Sequence, residues 1–100
     1  MTRPVEIVWT LNALEDLESL RLYLDEQVDQ GIMLSEAKRI WESVARLAHF
    51  PDSGRPGRVP GARELIVSPY ILPYRVRDER VEILDLFHSA QNWQHIPLSR

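Results

Sequence analysis

The chain has no cysteine, so neither a disulfide framework nor a thiolate metal site can form, and a reducing cytoplasm suits it. Its three histidines, His49, His88 and His95, lack metal-ligand spacing. Nowhere does the chain approach the length of apolar run that a membrane span needs. The run from Val5 to Trp9 is interrupted by Glu6 and is too short for a signal peptide. Phosphate-loop, zinc-protease and nucleophile-elbow motifs are all missing. Positive charge is scarce as well. Twelve cations face fifteen carboxylates, for a net charge of −3, where a general nucleic-acid binder is expected to be basic. Lysine is nearly absent, because Lys38 alone among the cations is not arginine. Arginine suits fixed, planar, bidentate contacts.

What is present fits one domain. A hydrophobic fraction of 44% over 100 residues allows a real core. Charge is unevenly spread: residues 1–49 hold five cations against nine carboxylates, residues 50–80 six against four. Val5, Ile7 and Trp9 alternate as in a short strand. Ala13, Leu17, Leu20, Leu24 and Val28 recur at helical spacing, with Asn12 and Glu15 in the form of a capping box and Thr10 as a rival cap. Gly31 ends that pattern. Ser35 is then expected to cap a second helix, with Ala37, Ile40, Trp41, Val44, Leu47 and Ala48 as its apolar face and Pro51 as its stop. Trp41 reads as core.

Residues 51–61 are the sharpest change in composition, six of the eleven being Gly or Pro. A stiffened loop is expected. Strand patterns follow at about 62–67, 71–77 and 81–87, joined by short turns into a meander. Pro73 sits inside the middle one and calls for a bulge or an edge-facing nitrogen. The whole is a single α+β domain over residues 1–100, in the order β-α-α-β-β-β. A helical hairpin lies on an antiparallel sheet, the first strand rejoins beside the last, and the tail from about 94 is expected to be flexible.

The arginine-bearing loop is the strongest functional feature. Arg55, Arg58 and Arg63 stand on a stiff segment that suits an anionic or carboxylate-bearing partner. A solvated loop whose arginines pair with acidic residues fits the same pattern. With regular alternation, Arg63, Arg75 and Arg77 share one sheet face, where Glu64 and Glu82 are possible cross-strand partners. His88, at a strand end, suits either a general acid or base or a backbone cap. Trp93 suits either a cover for the core edge or a partner contact.

The runs Phe50-Pro51…Gly54-Arg55-Pro56-Gly57-Arg58…Gly61-Ala62-Arg63-Glu64-Leu65, Pro69-Tyr70-Ile71…Tyr74-Arg75-Val76 and His88-Ser89-Ala90-Gln91-Asn92-Trp93 resemble the RelE/ParE superfamily of type II toxins. The closer likeness is to the ParE-like branch. The resemblance implies a cytoplasmic toxin without cofactor or metal, neutralised by a cognate antitoxin that folds on binding. It implies antitoxin contacts along the hairpin at Leu17, Leu20, Leu24, Ile40 and Val44. It implies target contacts at Arg55, Arg58, Arg63, Arg75 and Trp93. ParE-like members poison DNA gyrase, and RelE-like members cleave messenger RNA, usually on the ribosome. For cleavage, the candidate catalytic residues are Arg63, His88 and Glu64. That set is thin for stabilising transition-state charge, and Asp85 stands where relatives commonly carry a basic residue. The expectation is therefore a gyrase inhibitor that acts by binding, with an RNA-cleaving enzyme as the alternative.

Overall fold

A computed structural model describes residues 3–27 and 30–89, without the side chains of 23–27, 30, 32 and 33. In chain order the elements are β1 (Glu6–Trp9), α1 (Leu11–Gln27), α2 (Gln30–Arg46), β2 (Arg55–Pro56), β3 (Arg63–Val67), β4 (Tyr70–Arg77), β5 (Arg80–Ile83) and β6 (Phe87–His88). Two helices pack on one sheet, as the β-α-α-β-β-β pattern requires. The tail from about 94 falls outside the described residues.

The sheet order is β1-β5-β4-β3-β2, with β6 also paired to β4. β1 does rejoin beside β5, but it runs parallel to it, so the sheet is mixed. The intervening helices carry the chain back to its starting end, and a parallel neighbour needs such a crossover. The strand expected over 81–87 is broken. β5 pairs with the second half of β4 and β6 with the first, while residues 84–86 step out between them. Pro73 explains the break. Its carbonyl accepts from the Leu84 N–H at 2.8 Å, so its own nitrogen, which has no hydrogen, faces the same side. The missing donor falls where the neighbouring chain leaves the ladder.

Thr10 wins the competition to cap α1. Its hydroxyl accepts from the Ala13 N–H at 3.3 Å and donates to the Ile83 carbonyl at 2.7 Å. Asn12 lies inside the helix, and the first turn holds no carboxylate. The second helix starts five residues earlier than Ser35 suggests, so Gly31 and Ser35 are helical. A glycine inside a helix costs only about 0.5–1 kcal/mol, less than side-chain packing along the helix returns. Ile40, Val44 and Leu47 point inward and are buried. With Ala13, Val67, Tyr70, Leu72, Tyr74, Val81, Ile83 and Leu86 they form the core, and Leu17 and Leu20 pack against it. Each large apolar side chain there contributes roughly 1.5–3 kcal/mol before entropy is subtracted.

Trp41 is not core. It is 55% exposed and meets Trp9 edge-on, with ring centroids 5.1 Å apart. Position 41 follows buried Ile40 by one residue, and a helix turns about 100° per residue, which carries it to the flank. No helix among the described residues is long and apolar enough to cross a membrane.

Candidate functional site

The arginine loop is a small hairpin fixed to the sheet edge. Arg55 and Pro56 pair with Glu64 and Arg63, and the Gly57 N–H donates to the Ala62 carbonyl at 2.8 Å. Its base is locked from below by Tyr74, a fully buried residue of β4. The Tyr74 hydroxyl accepts from the Gly54 N–H and donates to the Pro51 carbonyl, each at 2.8 Å. A Cβ on Gly54 would lie 2.6 Å from the Tyr74 ring and hydroxyl, so only glycine permits this approach. Burial pushes the Tyr74 phenol above its ordinary value of 10.0, against the pull of the Gly54 N–H and the Arg63 charge.

The loop arginines are engaged rather than free. Arg55 and Arg58 converge on the buried Glu64 carboxylate, at 2.8 and 3.8 Å. Arg63 donates to the Gly54 carbonyl at 2.9 Å and lies 3.7 Å from Asp52. The expected free cationic rim is thus largely balanced by its own carboxylates. Their side chains still stand 38–55% exposed. A guanidinium has five N–H donors, so donors remain for a second partner.

The shared face expected for Arg63, Arg75 and Arg77 does not exist. Arg63 is opposite Tyr74, and register partners point the same way. Arg63 therefore lies on the helix-bearing side, while Arg75 and Arg77 lie on the other with Glu82, which both contact. The Arg75 hydrogen bond holds the Glu82 carboxyl below its ordinary 4.5, against some desolvation, with the charges of Arg75, Arg77 and Arg80 assisting.

The three candidate catalytic residues are not brought together. His88 pairs with Tyr70 and stacks edge-on against its ring at 5.9 Å. Tyr70 and Tyr74 are four residues apart on β4, and Arg63 and His88 flank β4 on opposite sides. The separation is about 13 Å along the strand and about 10 Å across it. Glu64 faces the opposite side of the sheet, under Arg55 and Arg58. Asp85 is buried and so does not stand exposed to repel a phosphate.

Ile40 and Val44, expected as antitoxin contacts, are 1% and 2% exposed and serve the core. Leu17 and Leu20 are largely turned inward too. The side chain of Leu24 and all of Trp93 lie outside the described residues. Other apolar groups are exposed: Leu11, Leu14 and Leu22 on α1, and Leu34 and Trp41 on α2. Ile7, Trp9, Trp41, Val44 and Ala45 line an open groove of about 480 Å³, with Glu42 at its rim.

A family profile described as ParE toxin of type II toxin–antitoxin system, parDE, matches residues 7–93. The chain belongs to the ParE toxin family. Among curated relatives of this ParE-family chain, Y4kP of Sinorhizobium fredii, a toxin by name, is 40% identical over 92 residues. That match spans 90% of this chain and 94% of the relative. Toxin RelE2 of Caulobacter vibrioides is 31% identical over 86 residues, spanning 86% and 97%. A solved chain of the chromosomal ParDE system from P. aeruginosa superposes with a TM-score of 0.77 at 26% identity, covering 87% of this chain and 98% of that one. A chain of the toxin–antitoxin complex RelBE2 from Mycobacterium tuberculosis shares the fold, with a TM-score of 0.57 at 23% identity over 85% and 98%.

The groove is what sequence reasoning missed in this ParE-family chain. Trp41 adjoins the buried stripe in sequence, so spacing alone reads it as core. The available signal was its angle: Trp41 lies about 100° around the helix from Ile40, at the margin of the stripe that Ile40, Val44 and Leu47 share.

Proposed function

We propose that this ParE-family toxin arrests DNA gyrase by binding it, acts in the cytoplasm, and is held inactive by a cognate antitoxin. One observation carries the choice of binding over cleavage. Arg63 and His88, the cation and the proton-transfer group that RNA cleavage would need at one phosphate, flank β4 at positions four residues apart. A general base must come within hydrogen-bond reach of the proton it takes, and stabilising groups must surround the same phosphorus. Separation on this scale supports the reading that the two do not serve one phosphate. Arg55, Arg58, Arg63 and Arg75 are the proposed target contacts. The side chains of Arg55, Arg58 and Arg63 remain 38–55% exposed, so guanidinium donors not spent on Glu64 or Asp52 are left for a carboxylate or phosphate on the target. Trp93 belongs to the same proposal from sequence alone.

The test is a supercoiling assay with purified toxin and gyrase. Inhibition is expected at about micromolar toxin, relieved by the antitoxin and weakened by Arg55→Ala with Arg58→Ala. Unchanged supercoiling would remove the gyrase reading. The likeness to a relative named RelE2 makes message cleavage the rival outcome. Primer extension on messages from induced cells should show no cuts within codons, and His88→Ala should remain toxic. Cuts that vanish in that variant would favour the nuclease.

A further inference from the structure

The sheet face turned away from the helices gathers positive charge out of an acidic chain. Arg75 and Arg77 of β4 lie on it with Glu82 and Arg80 opposite them on β5, and Glu6 of β1 stands opposite Arg80. Glu64 lies on the same face, because its register partner Pro73 is two residues from Arg75, and Arg55 stands opposite Glu64. Arg58 brings its guanidinium to that carboxylate as well. Five arginines thus meet three glutamates on this face, in a chain whose net charge is −3. The Asp78–Glu79 turn bounds one end of it with negative charge.

The carboxylates lie beneath the cations. The Glu64 side chain is 4% exposed and gives one oxygen to Arg55 at 2.8 Å and the other to Arg58 at 3.8 Å. Glu82, 17% exposed, divides its oxygens in the same way between Arg75 and Arg77. Each carboxylate therefore braces two guanidinium groups whose side chains remain 41–57% exposed. Holding one edge of a guanidinium lowers the entropy lost when another edge takes a ligand. The two braced pairs stand two strands and two residues apart, which is about 12 Å.

The chemistry of the face selects its occupant. Protein interfaces put aromatic anchors at their centre, whereas interfaces with DNA are polar and positively charged. No exposed aromatic side chain stands on this face among the described residues. Phe87 is buried, and the exposed Trp41 and Phe50 belong to α2 and to the segment after it. Bases of a single strand need such rings to stack on, while a duplex can be held through its phosphates alone. A duplex carries about one charge per 1.7 Å of its axis, so both arginine pairs find phosphates on one segment.

We infer that this face binds the phosphate backbone of duplex DNA, so that the toxin engages gyrase together with the duplex the enzyme holds. The inference rests on the gyrase reading and adds a second component to the target. A chain of net negative charge gains little from DNA in free solution, and gyrase supplies the proximity that raises the effective concentration of the duplex.

The experiment titrates the full toxin into gyrase alone and into gyrase holding a linear duplex, at one fixed ionic strength. Binding should be at least about tenfold tighter with the duplex. Arg77→Gln with Arg80→Gln should abolish that gain, and Arg77→Lys with Arg80→Lys should keep most of it, because positive charge carries the contact. Both side chains are more than half exposed, so neither double change should shift the melting temperature. A toxin that inhibits supercoiling yet binds gyrase equally with and without duplex overturns the inference and leaves the gyrase reading standing. A gain that survives the glutamine changes also overturns it, since a changed shape of the enzyme then accounts for the gain. So does an equal gain from a single-stranded oligonucleotide in place of the duplex. Absence of binding to gyrase in either state removes both readings.

Discussion

The Tyr74 hydroxyl joins the sheet core to the loop that carries the arginines. Removing it strands the Gly54 N–H and the Pro51 carbonyl, both held only through that oxygen among the described contacts. Losing a buried hydrogen-bond partner costs about 1–3 kcal/mol, so Tyr74→Phe should lower the melting temperature by several degrees and speed amide exchange at Gly54. Gly54→Ala should be at least as harmful, since its Cβ would also lie 2.9 Å from the Glu64 carbonyl and backbone yields poorly. The raised phenol value adds a pH signature. A group whose folded value exceeds its unfolded value contributes stability that is present below the ordinary value of 10.0 and is lost as pH rises through the folded one. Wild type should therefore lose stability at strongly alkaline pH more steeply than Tyr74→Phe does.

At the scale of elements, two features invite test. The β4–β5 hairpin turns on Asp78 and Glu79, both at positive φ, 53° and 60°. Two-residue hairpins favour Asn-Gly at such positions, and a left-handed conformation costs a residue like glutamate about 1–2 kcal/mol. Glu79→Gly should therefore stabilise the protein by about 1 kcal/mol, read as a higher denaturant midpoint at unchanged slope. Arg75 and Glu82 face each other across the same hairpin. The Glu82 value is depressed on folding, so the pair contributes stability above 4.5 that is lost as pH falls through the folded value. Glu82→Gln should lower stability near neutrality and flatten the acid limb of the stability curve. An unchanged acid limb would show that the pair is screened by solvent. These elements also mark where sequence reading reached its limit. The strand patterns were legible because Leu65, Ile66 and Val67 form a short, largely β-branched apolar run and Val81 and Ile83 alternate with Glu82. The break at 84–86 was not, because it depends on which neighbour Pro73 turns its nitrogen toward. Thr10 and Asn12 were equally good caps on composition. The Ile83 carbonyl, seventy-three residues away, decided between them.

Across the molecule, helices and sheet share one core, and Leu47 lies fully buried within it. Leu47→Ala should cost about 2–5 kcal/mol and leave a single cooperative transition. Far-ultraviolet dichroism and tryptophan fluorescence should move together, because Trp9 and Trp41 report on the contact between β1 and α2. Separate transitions would mean that the hairpin and the sheet melt independently.

By itself the sequence determined the class of fold, the order of its elements and the likeness to a toxin family. Each follows from local periodicity, turn chemistry and short motifs, which act over a few residues. Tertiary structure alone decided which side of the sheet each arginine occupies, that Glu64 and Asp52 engage the loop cations, and that Arg63 and His88 flank β4 at register positions four residues apart. It also decided that Trp41 flanks an open edge rather than filling the core. Those outcomes turn on strand register and on the rotation of a helix about its axis, where a shift of one residue moves a side chain to another face. The contacts that fix register and rotation join residues far apart in the chain.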